Sequence, residues 1–172
     1  MKRFGMIAMV SIGFIAGIAF VYSCGGSSSS AATTITEYLS LNGAAFQPKN
    51  DGYDYAFGAD GIWNLDGISD GFETSVNLPN GATINSVTVY WTDSDAGNNL
   101  TFQLRHYSPA TENLSVYALG TSNGMATMGS TVDDTITEPI VDNINGTYTL
   151  LLTIPTSNII FRQAIIEYTY TI

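Results

Sequence analysis

Three stretches of this 172-residue chain carry residue types that could do chemistry. The first is Asp93-Ser94-Asp95-Ala96-Gly97-Asn98-Asn99. Its carboxylates and amides are hard oxygen donors, the kind calcium gathers six to eight at a time. Asp93, Asp95, Asn98 and Asn99 are the expected ligands if the chain holds Ca2+, the only cofactor its residues point to. The same side chains also build ordinary turns, since short polar groups bond to nearby main chain. The loop does not carry the full spacing of the helix-loop-helix calcium motif. The second stretch sets Tyr53, Tyr55 and Trp63 among Asp51, Asp54, Asp60 and Asp66. Rings exposed there would stack on a sugar, whereas buried rings would fill a core. Tyr53, Tyr55 and Trp63 are the expected stacking residues.

The third stretch, Gly120-Thr121-Ser122-Asn123-Gly124, matches the G-x-S-x-G pattern of a nucleophile elbow. That elbow needs a strand before it and a helix after it. Residues 125–130 do not read as a helix. The single histidine, His106, precedes Ser122, opposite to the order that the α/β hydrolases use. No catalytic residue is assigned, and the expectation is a protein that is not an enzyme.

The elements that must position these groups read as strands. Ile84 to Thr92 alternates, with Val87, Val89 and Trp91 on one face and Tyr90 on the other. Leu100, Phe102 and Leu104 alternate with Thr101, Gln103 and Arg105. These two segments are expected to pair as a hairpin. Thr36 to Leu41, Tyr53 to Phe57, Ile62 to Leu65, Glu73 to Leu78, Leu114 to Leu119, Tyr148 to Ile154 and Ile159 to Ile172 complete the strong strands. Thr135 to Val141, broken by Pro139, suits an edge. Residues 121–134 are polar and glycine-rich and read as a long loop. No window past residue 34 shows a useful helical period. The expected fold is all-β: an antiparallel β-sandwich, jelly-roll-like, with an immunoglobulin-like sandwich as the alternative.

Before the sandwich comes different material. Lys2 and Arg3 precede an apolar run from Phe4 to Tyr22, then Cys24, then Gly25-Gly26-Ser27-Ser28-Ser29-Ser30. Val21-Tyr22-Ser23-Cys24 resembles the lipobox of bacterial lipoproteins, with Val21 in the aliphatic place and Ser23 in the small one. The resemblance implies cleavage before Cys24, lipid on its thiol and an extracytoplasmic location, at the outer membrane in a Gram-negative cell. An uncleaved membrane helix and a plain secretory signal are the other readings of the same run. The domain plan is then an apolar signal helix over residues 1–23, a lipidated Cys24 with a flexible tether over 24–34, and one β-domain over 35–172. Within that domain, Ala45-Phe46-Gln47-Pro48 and Leu78-Pro79-Asn80-Gly81-Ala82-Thr83-Ile84 are similar to a loose group of uncharacterised secreted bacterial β-domains. That likeness carries no activity with it.

Charge narrows the partners. Beyond residue 23 the bases are Lys49, Arg105 and Arg162 against all fifteen acids. Such a surface repels nucleic acid and anionic headgroups. With one cysteine in the chain, no internal disulfide is available. Three function classes follow: a binding or structural lipoprotein of the cell envelope, partnered by membrane lipid through Cys24 and by an envelope protein or glycan; a carbohydrate-binding module as the alternative; and an envelope hydrolase as a remote third.

Overall fold

A computed structural model describes residues 31–67, 69–124 and 126–172. The signal segment, Cys24 and most of the tether lie outside the described residues. Ala32–Ile172 forms one compact unit. Among the described residues no helix is long and apolar enough to cross a membrane.

The unit is two antiparallel sheets. Among the described residues eleven strands run in chain order: β1 Thr34–Asn42, β2 Gln47–Pro48, β3 Tyr55–Gly58, β4 Gly61–Asn64, β5 Asp70–Val76, β6 Thr83–Asp93, β7 Thr101–Ser108, β8 Asn113–Thr121, β9 Ala126–Asp133, β10 Thr147–Ile154 and β11 Ile159–Thr171. One sheet has six strands, ordered β3-β4-β11-β6-β9 with β1 also on β11, and the other has five, ordered β2-β5-β10-β7-β8. β11 is the spine of the first sheet. β6 covers one of its edges, while β4 (opposite Ile160 and Phe161) and β1 (opposite Gln163 to Thr171) follow one another along the other.

Alternation decides what the sheets bury. Val87, Val89 and Trp91 of β6, with Phe161, Ala164 and Ile166 of β11, face Phe102, Leu104, Leu150, Leu152 and Phe72 of the second sheet, all buried. Phe46 meets the Phe161 ring edge-on with centroids 4.8 Å apart. It carries the chain from β1 in one sheet to β2 in the other. The alternating residues read from sequence occupy the expected faces, Trp91 in the core and Tyr90 outside.

Three expectations are corrected. β6 and β7 are not a hairpin; they belong to opposite sheets, and the segment between them crosses the end of the sandwich. Alternation reveals which face a side chain takes, not which strand is its neighbour. Residues 121–134 are not a long loop, because β9 occupies most of them and pairs with β6. Its inward residues are Gly129, Thr131 and Asp133, so it lacks an apolar stripe. The space is taken by Trp91, whose ring lies against Gly129 where a side chain would stand and whose Nε1 donates to Thr131 Oγ1 at 3.0 Å. Thr135 to Val141 is not a strand; it makes a single bridge, Ile140 to Thr83.

Candidate functional site

The acidic loop folds onto itself. Asp93 ends β6 and is fully buried. Its Oδ1 accepts the Asp95 amide at 3.0 Å, and its other oxygen accepts the Ser122 hydroxyl. Ser122 also joins the far sheet, with Leu100 N donating to its Oγ at 2.9 Å and its own amide donating to Leu100 O at 2.9 Å. Asp95 caps the turn. Oδ1 accepts the amides of Gly97 and Asn98, and Oδ2 accepts the Asn98 side chain and the Thr156 hydroxyl at 2.9 Å. The Gly97 amide, followed by the Asn98 and Thr156 side chains, holds the Asp95 carboxyl below the ordinary carboxylate range. Asn99 faces Gly124 across the same loop cluster. The four expected calcium ligands are thus close in space, but Asp93 and Asp95 already accept internal donors. Among the described residues no group of three or more His, Cys, Asp or Glu is placed to hold a metal ion.

The elbow motif dissolves for the same reason. Ser122 is buried, and its hydroxyl is committed to Asp93. The segment that follows it leads into β9. His106 sits six residues along β7 from Leu100, at about 3.4 Å per residue roughly 20 Å away. It lies at the opposite end of the sandwich, between the Tyr148 and Tyr117 rings at 4.7 and 5.6 Å, with Nε2 lacking a hydrogen-bond partner among the described residues. His106 is therefore out of reach of Ser122, whose hydroxyl bonds to the buried Asp93 carboxylate.

The aromatic cluster splits between two faces. Tyr55 points inward and meets Phe72 edge-on at 5.6 Å. Tyr53 is half-buried, its hydroxyl accepting from Asn50 Nδ2 at 3.2 Å. Trp63 is half-buried and opposes Ile160 and Ala56, outward-facing positions of the six-stranded sheet. Tyr55 and Trp63 therefore face opposite sides of the sheet, and of these two only Trp63 belongs to the outer face.

Around Trp63 the structure adds residues that sequence reading missed. β11 bulges at Arg162, so Arg162 and Gln163 together oppose the region of Trp91 and Tyr90. The bulge turns the Arg162 guanidinium onto the outer face. Nε and Nη2 donate to Thr92 Oγ1 at 3.0 and 2.9 Å, and Nη1 donates to Asp60 O at 2.7 Å. Nη1 also lies 3.1 Å from Asp60 Oδ2. Asp60 belongs to the turn between β3 and β4, and Gly58 at the end of β3 lies against the Trp63 ring. A ring, a guanidinium, a carboxylate and hydroxyls thus gather on one sheet face, with Tyr90 exposed on the same face. Spacing could not reveal Asp60 and Arg162 as partners, since 102 positions separate them.

Solved structures supply the fold's relatives. The chain is similar to a xylan-binding module, CBM15, with a TM-score of 0.53 and 12% identity, over 77% of this chain and 97% of that one. It is also similar to the C-terminal CBM6 of a laminarinase from Zobellia galactanivorans, at a TM-score of 0.49 and 12% identity over 76% of this chain and 98% of that one. A third is the CBM22-1–GH10 portion of a Clostridium thermocellum xylanase complexed with xylohexaose, at a TM-score of 0.48 and 18% identity over 77% of this chain and 28% of that one. At these identities the likeness is one of fold, a jelly-roll-like β-sandwich. No family model and no curated protein matches the sequence.

Proposed function

We propose that this chain is an exported, lipid-anchored, non-catalytic module that binds an uncharged polysaccharide. The observation that carries the reading is the end-to-end correspondence of its sandwich with a xylan-binding module, 97% of which is covered. Two features of this chain support it. The outer face around Trp63 offers a ring for stacking beside Arg162, Asp60 and Thr92 for hydroxyl groups. The preponderance of acids, fifteen against three bases past residue 23, disfavours a polyanionic ligand and leaves neutral glycans.

Retardation in native gels containing soluble xylan or mixed-linkage β-glucan tests the reading. The wild-type chain is expected to be retarded, and Trp63→Ala to weaken binding about tenfold, the scale of one lost ring contact of ~1–1.5 kcal/mol. No retardation of the wild type in either gel rejects the proposal. The anchor is a separate claim, resting on Cys24 and its flanking residues. Cys24→Ser is expected to abolish metabolic labelling with a fatty acid and to release the protein from membranes; unchanged labelling refutes the anchor.

A further inference from the structure

We infer that the open edge of β5 is a second glycan-binding site, which takes an extended uncharged chain through hydrogen bonds instead of ring stacking. The inference rests on the polysaccharide reading above and adds a site on the other sheet.

β5 is paired unequally. Along one edge it meets β10 at every residue from Asp70 to Val76. Along the other it meets β2 only at Phe72 and Glu73, with Lys49 N also donating to Gly71 O at 2.9 Å. In an antiparallel sheet, alternate residues turn both their N–H and their C=O to the same edge. Gly71 and Glu73 turn theirs toward β2, so Ser75 does too. No described residue pairs with it there, because β2 begins at Gln47 and Phe46 before it is turned into the core.

That edge opens into a groove. A cavity of about 470 Å³ is lined by Gln47, Glu73, Ser75, Asn77 and Thr149. Ser75, Asn77 and Thr149 also line a second cavity of about 400 Å³, which reaches Asn143 and Thr147. The two adjoin at those three residues. Amides and hydroxyls dominate the lining, with one carboxylate and no lysine or arginine. Groups that both donate and accept suit the hydroxyls of a neutral sugar chain, while Glu73 and the acidic surface disfavour an anionic one.

The opposite side of the molecule shows how this chain treats an edge it closes. β8 is the other outer strand of the same sheet. Along it Thr137 N donates to Tyr117 O at 2.9 Å, Leu119 N donates to Asp133 Oδ2 at 2.8 Å, and Thr131 Oγ1 donates to Thr121 O at 2.8 Å. Every second residue from 117 to 121 is capped. Unpaired edges are templates for other chains, and proteins commonly cover them. Here one edge is capped along its second half, and the other is left facing a groove.

A peptide strand is the rival occupant. Strand addition takes its affinity from repeated main-chain pairs, and the open stretch past Glu73 offers very few. Most of the groove's bonding capacity is in side chains that run beyond the edge, which favours the glycan.

The test uses the full-length chain in detergent, with affinity gels containing soluble xylan or mixed-linkage β-glucan. The variants are Trp63→Ala, Ser75→Pro, the pair Asn77→Ala with Thr149→Val, and each groove change combined with Trp63→Ala. Ser75→Pro removes the N–H that faces the groove and spares the β10 ladder, where proline would not be tolerated. The side-chain pair guards against misfolding of the proline variant. Trp63→Ala is expected to keep measurable retardation, and either groove change added to it to abolish the remainder. Loss of all retardation by Trp63→Ala alone, or groove variants that bind as wild type, would overturn the second site and leave the polysaccharide reading standing. A wild type that neither glycan retards rejects both. Binding of the strand-forming peptide Thr-Val-Thr-Val-Thr-Val that Ser75→Pro removes, with glycan binding unaffected by the groove changes, would reassign the edge to a peptide and overturn the glycan assignment.

Discussion

The two surfaces on opposite sheets are built by different means. Around Trp63 the chain uses side chains from distant segments, with Arg162 of β11 bonded directly to Asp60 of the β3–β4 turn and to Thr92 of β6. Along β5 it uses main chain exposed where β2 stops, together with the row of small polar side chains that continues past that edge. The first surface is held by specific contacts and fails if one is removed. The second exists because a partner strand is short, so no single side chain makes or breaks it. A ligand stacked at the first surface would be read by shape, and one lying in the second by its hydroxyls.

The largest expected effect separates the two surfaces outright. Gly61 has φ +139°, a conformation that side chains rarely adopt, and a Cβ there would run into the carbonyl oxygen of Phe161. Gly61→Ala must therefore distort the β3–β4 turn or push it away from β11. Strain and overpacking of this kind each cost about 1–3 kcal/mol. The variant is expected to lose about 3 kcal/mol in urea unfolding and to lose the binding carried by Trp63. Binding along β5 should survive below the unfolding transition. Equal loss at both surfaces would show that they are not independent.

The same division explains what could be read from the sequence. β6, β7, β10 and β11 announced themselves by alternation, because each has one face in the core. β9 did not, because Trp91 of the neighbouring strand fills its inner side and leaves Gly129, Thr131 and Asp133 there. Its outward Met128 and Val132 are apolar and exposed, which inverts the usual pattern. Trp63 was legible as a ring in an acidic setting. Arg162 was not legible as its neighbour, since a bulge in β11 sets where its side chain goes. Asp93 and Ser122 each stood out in a motif, calcium loop and elbow, yet they bond to each other across the end of the sandwich. An open strand edge leaves no residue-type signature, because any residue offers the same N–H and C=O.

The smallest expected effect comes from acid, and it falls on the sealed side. Burial pushes the Asp133 carboxyl up, but bonds from the Thr135 side chain and from the amides of Leu119 and Thr135 outweigh it, leaving the group below its ordinary value. Asp142 is also held low, chiefly by the Asn145 side chain and then the Asn145 amide. A carboxyl lowered on folding adds stability above its unfolded pKa of about 4, and that stability is lost as the pH falls through the folded value. Stability should therefore be flat near neutrality and decline below about pH 4. The Asp133 share is at most ~1 kcal/mol, because the half-buried group keeps contact with solvent, which screens it. Protonation weakens the acceptor for Leu119 N, so amide exchange at Leu119 should quicken relative to the β10 core as the pH drops. Asp133→Asn keeps an acceptor that does not titrate and should flatten that relative response. If Leu119 and Leu150 quicken in step, the β8 edge is not sealed by Asp133, and the contrast with β5 loses its clearest support.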